Sequence, residues 1–143
     1  MNDLAEQQLG HWVRQLNHVL IHSISETLKP FDLGHSQWQV LSILDAEKKI
    51  SIKKLREQMN VESGTLTGVI DALIRKGWVL REEDPKDRRI KQIMMTKTGQ
   101  IRWASLPNPK SLVHQKLSNN IPLEEIAVTV KVLQQAYENL TAK

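Results

Sequence analysis

The chain has 143 residues, 40% of them hydrophobic and 25% charged, the balance of a globular domain long enough to bury a core. It contains no cysteine, which excludes disulfides, thiolate metal sites and a cysteine redox sensor within the chain. Its net charge of +4 is unevenly spread: residues 48–97 hold 13 Lys or Arg against 7 Asp or Glu, net +6, and the remainder holds 7 against 9, net −2, so a basic middle suited to a polyanion lies between slightly acidic ends.

No run reaches the length of a membrane span, and Met1-Asn2-Asp3-Leu4 lacks the basic and apolar regions of a signal peptide. The expected compartment is therefore the cytoplasm, with no membrane partner. Residues 9–28 predict a long helix, because Leu9, Trp12, Val13, Leu16, Val19 or Leu20, Ile24 and Leu28 recur at helical spacing. Lys29-Pro30 ends it, since a residue before proline avoids the α region. His11, His18 and His22 fall on roughly one face. His18 and His22 have a permitted metal-ligand spacing but no third ligand nearby, so they read as a polar strip, with no metal expected. A turn over 31–34 leads to a second helix, capped by His35 or Ser36 and running to about 47, with Trp38, Leu41 and Leu44 inward. Ile50-Ser51-Ile52 fits a short strand, and Ser51 also fits a helix cap. A third helix over 52–58 turns Ile52, Leu55 and Met59 inward, and Asn60-Val61 makes a tight turn.

The fourth helix, 62–76, is the most informative. Leu66, Val69, Ile70, Leu73 and Ile74 form one apolar face, and Gly77 stands where a left-handed C′ residue belongs. Its opposite face carries Ser63, Gly64, Thr67, Gly68, Asp71 and Ala72, all short. Each glycine weakens a helix by ~1 kcal/mol relative to alanine, so such a face suits close approach to another surface rather than mere solvation. A DNA major groove, ~12 Å wide, is one such surface.

Two strand-like segments, 78–83 and 90–95, follow around Asp84-Pro85-Lys86-Asp87-Arg88-Arg89. Asp-Pro starts a turn, because proline fixes φ and the carboxylate accepts backbone N–H bonds. The expected product is a hairpin tipped by Lys86, Arg88 and Arg89. Taken alone, that tip is a solubilising loop; behind the short-faced helix it reads as a second contact to a polyanion. Two helices joined by a tight turn and followed by this hairpin make a winged helix-turn-helix.

Thr96 is expected to cap a fifth helix beginning near Lys97, with Ile101, Trp103 and Leu106 apolar, and Pro107-Asn108-Pro109 must break it. A short helix is expected over 111–117, and a last one after Pro122 with Glu124 and Glu125 at its positive end. Ile126, Val130, Leu133, Tyr137 and Leu140 repeat at spacings of 4, 3, 4 and 3, a coiled-coil-like seam. Packing on the chain's own first helix would use this seam; a symmetric dimer in which Leu9, Trp12, Val13, Leu16 and Leu20 join it is the favoured reading. The fold class expected is mainly α with a small β-hairpin wing. The expected divisions are an N-terminal dimerisation helix (1–34), a DNA-binding lobe (35–97) and C-terminal dimerisation helices (98–143).

Ser51 to Leu55, Gly64-Thr65-Leu66-Thr67, Leu73, Gly77-Trp78-Val79, Arg81, the Asp84-Pro85-Lys86-Asp87-Arg88-Arg89 wing and the exit Met95-Thr96-Lys97-Thr98-Gly99 together resemble the MarR family of bacterial winged-helix regulators. The resemblance covers most of the chain. It implies a homodimer whose first and last helices interlock and whose recognition helices enter major grooves. It further implies that Arg89 enters the adjoining minor groove, with Asp87 shaping the wing and Arg88 near the DNA backbone. Many family members bind small anionic or phenolic molecules between the dimer helices and the DNA lobe; Trp12, His35 and Trp38 are candidates for such a crevice, although both tryptophans read better as core. The chain departs from the family at Ala72, where a basic residue is common, at Ile74, where an acidic one is common, and at Pro107 and Pro109, which interrupt a helix that is usually continuous. The lack of cysteine excludes the peroxide-sensing cysteine mechanism found in part of the family.

The expected function is a dimeric, sequence-specific regulator of double-stranded DNA, a repressor responsive to a small ligand, on a pseudo-palindromic site. Lys53, Lys54, Lys86 and Arg88 are assigned mainly to phosphates. Ser63, Gly64, Thr65, Thr67 and Gly68 are assigned to base edges or phosphates, Arg89 to a minor groove, and Asp84 and Asp87 to shaping the wing. The alternative is a winged-helix protein-interaction module without DNA binding. An enzyme is not expected: no nucleophile–base pairing, phosphate-cradling glycine loop or metal motif stands out, and no cofactor is implied.

Overall fold

The structure, a computed structural model, describes residues 3–143. In chain order its elements are α1 (Asp3–Leu28), a 3₁₀ turn (Lys29–Phe31), α2 (His35–Glu47), β1 (Lys49–Ser51), α3 (Ile52–Met59), α4 (Ser63–Arg75), β2 (Val79–Glu83), β3 (Lys91–Met95), α5 (Lys97–Ala104), α6 (Pro109–Leu117) and α7 (Leu123–Thr141). The chain divides into two compact units, one ending at Pro107 and the other spanning Asn108–Lys143. Among the described residues no helix is long and apolar enough to cross a membrane.

The first unit has a single core. Leu28 of α1, Leu41 and Leu44 of α2, Leu55 of α3, Leu66, Ile70 and Leu73 of α4, and Ile93 of β3 are fully buried there. α1 begins at Asp3, upstream of the apolar stripe that starts at Leu9, because Asp3 and Glu6 favour a helix N-terminus. Its buried residues are Ile24 and Leu28, and the α1 end carrying them packs on α2. α2 is capped by Gly34, not by His35 or Ser36. Gly34 holds the extended backbone an N-cap needs, and its N–H donates to Gln37 Oε1 at 3.3 Å, so no capping hydroxyl is required. Trp38, Val40, Leu41 and Leu44 line its inner face.

Ser51 fills both places open to it. It ends β1, and its Oγ accepts from Lys54 N at 3.1 Å to cap α3. The turn into α4 depends on Asn60, whose φ of 55° lies in the left-handed region. α4 stops in a Schellman motif at Gly77, where φ is 82°. Gly77 N donates to Ile74 O at 3.0 Å and Trp78 N donates to Leu73 O at 2.9 Å, with both Leu73 and Trp78 buried.

The sheet has the order β1-β3-β2, antiparallel throughout. β2 and β3 form the hairpin, in register from Val79 opposite Met95 to Glu83 opposite Lys91, and β1 adds Ile50 opposite Ile93. Thr96 caps α5 by accepting from Gly99 N at 2.9 Å, and its hydroxyl donates to Gly77 O at 2.6 Å. A Cβ at Gly99 would fall on the Trp78 carbonyl, so any side chain there would force the backbone to shift. Ile101 of α5 is 67% exposed. The helix break falls after Ala104, and α6 starts at Pro109 rather than Ser111. Proline's missing N–H is no loss at a first helical position, and Asn108 Oδ1 accepts from Ser111 N at 3.3 Å as the cap.

Gly77→Ala is expected to lower the free energy of unfolding by about 1–2 kcal/mol, the cost of a left-handed backbone with a Cβ. Gly99→Ala should lower it by about 1–3 kcal/mol through overpacking. Both should appear as lower urea midpoints with unchanged slopes.

Candidate nucleic-acid interface

Helix α4 buries Leu66, Ile70 and Leu73 and turns Ser63, Gly64, Thr65, Thr67 and Gly68 to solvent. A Cβ built on Gly64 or Gly68 would meet nothing within 4 Å, so the protein's own packing needs neither glycine. Thr67 Oγ1 donates to Ser63 O at 2.9 Å within the helix, which leaves its methyl and lone pairs facing out. Ser63 Oγ accepts from Arg56 Nη1 of α3 at 2.8 Å. Lys53 and Lys54 project from the exposed first turn of α3.

The hairpin tip owes its shape to two aspartates. Asp84 Oδ1 accepts from Lys86 N at 2.8 Å and Asp87 N at 3.2 Å, its Oδ2 accepts from Gln92 Nε2 at 3.3 Å, and its own N–H donates to Ile90 O at 2.9 Å. Asp87 Oδ1 accepts from Arg89 N at 3.0 Å and Arg89 Nε at 3.1 Å, and Oδ2 accepts from Arg89 Nη2 at 3.1 Å. This two-pronged grip holds the Arg89 side chain in one orientation while leaving it 90% exposed. The Arg89 side chain, and then its N–H, hold the Asp87 carboxyl below the ordinary carboxylate range; the same pairing raises the Arg89 guanidinium. A carboxylate with a lowered pKa keeps its grip from neutral pH down through its unfolded value, and gives it up as pH falls through the lower folded one.

Several other cations of the lobe are held by carboxylates. Lys49 pairs with Glu82 at 3.0 Å, Lys76 with Asp32 at 3.6 Å, Arg81 with Asp71 at 3.1 Å and Lys91 with Glu83 at 2.8 Å. Among the described residues, the side chains of Lys53, Lys54, Lys86 and Arg88 have no such carboxylate partner. Lys49, Arg81 and Lys91 are thus neutralised around the stem of the hairpin, whereas Lys86 and Arg88 at its tip and Lys53 and Lys54 at the start of α3 are not, and Arg56, Arg75 and Lys97 likewise have no carboxylate partner among the described residues. The Arg81–Asp71 pair also braces β2 against α4, and an open hollow of about 550 Å³ brings Lys54 of α3 beside Ile90 and Gln92 of the hairpin.

Arg56, Asp71 and Arg81 gained these bracing partners only through the fold. Arg56 and Ser63 are seven residues apart, and Asp71 and Arg81 ten, on different elements, so no local periodicity links either pair. Elsewhere, Leu9, Val13 and Leu16 of α1 and Val130 and Leu133 of α7 lie exposed in the single chain, as do Trp12 (64%), Tyr137 (70%) and Leu140 (90%), while Leu20 and Ile126 are half-buried. Trp12 is thus outside the core expected of it: the buried residues of α1, Ile24 and Leu28, lie at its other end. Trp38 is buried, with its ring 6.5 Å from that of His35 and 6.4 Å from that of Trp103.

The sequence profile of the MarR family matches residues 33–91. The HTH-type transcriptional regulator SarZ of Staphylococcus aureus is 31% identical over 106 residues, which span 74% of this chain and 69% of SarZ. A mutant of MarR from E. coli complexed with operator DNA matches the fold with a TM-score of 0.81 at 27% identity, over 94% of this chain and 96% of that one. A MarR-like transcription regulator from Bacillus cereus gives a TM-score of 0.85 over 96% and 99% of the two chains, and at 22% identity this is a likeness of fold. The helix-turn-helix, the aspartate-shaped wing and the kinship over more than two thirds of a known regulator converge: the chain belongs to the MarR family of winged-helix transcriptional regulators.

Proposed function

We propose that the chain is a cytoplasmic, dimeric, sequence-specific DNA-binding repressor whose occupancy of a pseudo-palindromic operator responds to a small anionic or phenolic effector. One observation carries the DNA-binding part: among the described residues Lys53 and Lys54 at the start of α3 and Lys86 and Arg88 at the hairpin tip have no carboxylate partner, whereas Lys49, Arg81 and Lys91 around the hairpin stem are paired. Unpaired lysines and arginines beside a helix face of short side chains suit a polyanion wide enough to admit that helix. A protein-interaction module would have no use for so many uncompensated cations around a face free of large apolar groups.

Lys53, Lys54, Lys86 and Arg88 take phosphates in this reading, and Ser63, Gly64, Thr65, Thr67 and Gly68 approach base edges or the sugar–phosphate backbone. Arg89, already oriented by Asp87, enters a minor groove, where narrow A·T-rich segments concentrate negative potential. The exposed apolar stripes of α1 and α7 support a two-fold dimer, since unpartnered apolar stripes of this length signal association. The division of labour follows: residues 1–34 and 98–143 dimerise, and residues 35–97 read DNA. A dimer fixes the half-site spacing at about 10 base pairs or a multiple of it. The effector reading is supported by the family and by the aromatic cluster of His35, Trp38 and Trp103, with Trp12 as a further candidate.

A gel shift on random genomic duplex fragments should show retention. Arg89→Ala should weaken it and flatten the log–log salt slope by about 0.9 if one phosphate-like counterion is lost; unchanged retention and slope would remove the wing from the contact. Gly68→Ala should raise thermal stability by ~1 kcal/mol yet lower DNA affinity, a divergence expected of a glycine kept for the ligand rather than for the fold. Leu133→Glu should convert a dimer to a monomer by analytical ultracentrifugation, with loss of tight operator binding. A wild-type chain that sediments as a monomer at micromolar concentration would overturn the dimeric reading.

A further inference from the structure

The hydrogen bond between the two helices of the motif fixes more than their packing. Ser63 is the first residue of α4, exposed, and its Oγ accepts from Arg56 Nη1 at 2.8 Å. A serine hydroxyl has one proton to give and two lone pairs. A guanidinium cannot accept, so this partner occupies a lone pair and leaves the proton free. A nearby cation also repels any second donor approaching the remaining lone pair. Nothing in the described structure takes the Ser63 hydroxyl proton, and Thr67 Oγ1 next to it uses its own proton on Ser63 O.

Resting on the reading of α4 as the recognition helix, we propose that Arg56 is a specificity-determining residue. By donating to Ser63 Oγ it makes that hydroxyl a donor, directing it to a major-groove acceptor and away from the amino donors of cytosine and adenine. Purine N7, guanine O6 and thymine O4 are the acceptors such a hydroxyl would find. The first residues of a recognition helix are the ones that reach base edges, which places Ser63 where the choice matters. Arg56 acts through Ser63 and need not touch a base; its remaining N–H groups are free for a phosphate.

The test is selection from a random duplex pool by the full chain, its S63A, R56M and R56K variants and the R56M/S63A double variant, with melting temperatures alongside. The wild type should prefer an acceptor-bearing base at one position of each half-site. S63A and R56M should lose that preference about five- to tenfold at the same position, near the low end for one base contact. The double variant should lose no more than either single variant, and R56K, which keeps a charged donor, should retain most of the preference. Three outcomes overturn the proposal: R56M keeps the preference, the two effects multiply, or affinity falls alike on every sequence, as for a phosphate contact or a purely structural role. An unfolded R56M leaves R56K and S63A to decide, since S63A alters an exposed side chain. A wild type that enriches no duplex overturns the DNA-binding reading itself and this proposal with it, a result separable from failure of the variants alone.

Discussion

The Gly77–Trp78 junction holds the winged-helix lobe together. Gly77 alone can take the left-handed turn that ends α4, and the Schellman bonds to Ile74 and Leu73 deliver Trp78 into the core as β2 begins. The Trp78 carbonyl then accepts from Thr96 N at 3.0 Å, and Thr96 Oγ1 donates to Gly77 O, so the end of β3 is tied to the start of β2. Gly99 admits α5 to the same carbonyl, and the Arg102 guanidinium lies 5.4 Å from the centre of the Trp78 ring. The end of α4, both ends of the hairpin and the start of α5 therefore meet at two residues. A shift there would move the wing relative to the helix it flanks.

Charge in this lobe is sorted by task. The ion pairs around the hairpin stem are exposed, and such pairs contribute at most ~1 kcal/mol each to stability. Their use is geometric: Arg81 with Asp71 keeps β2 at a set distance from α4, and Lys91 with Glu83 and Lys49 with Glu82 lace the strands. The cations left unpaired are those that can replace the counterions condensed on a polyanion without breaking a salt bridge first. Arg89 is intermediate. It is paired, yet with a residue two positions away in the same turn, so the pairing aims the side chain outward instead of tying it to the body of the protein.

The two glycines on the outer face of α4 obey the same logic. Neither is close to any protein atom that a Cβ would strike, and neither has a positive φ, so the fold gains nothing from them. Gly77 and Gly99 differ: the backbone needs one and a carbonyl needs the other. Four glycines in one motif thus have two origins, which only their surroundings in the fold separate.

The sequence by itself determined the elements and their order. Helical periodicity placed α2 to α4, Asp-Pro located the wing, and Ser51, Asn60, Gly77 and Thr96 occupy the caps and turns their local chemistry demands, because all of these depend on neighbours within a few residues. The charge excess of the middle was legible for the same reason. Tertiary structure alone decided which cations are neutralised, since Lys49, Arg81 and Lys91 find their carboxylates across strands or on another helix. It also decided that Ile101 and Trp12 face solvent, that the rings of His35 and Trp103 both lie near Trp38, and that Arg56 donates to Ser63. Periodicity names an apolar residue without naming what covers it, and a hydrogen bond between elements exists only once the fold has brought its two ends together.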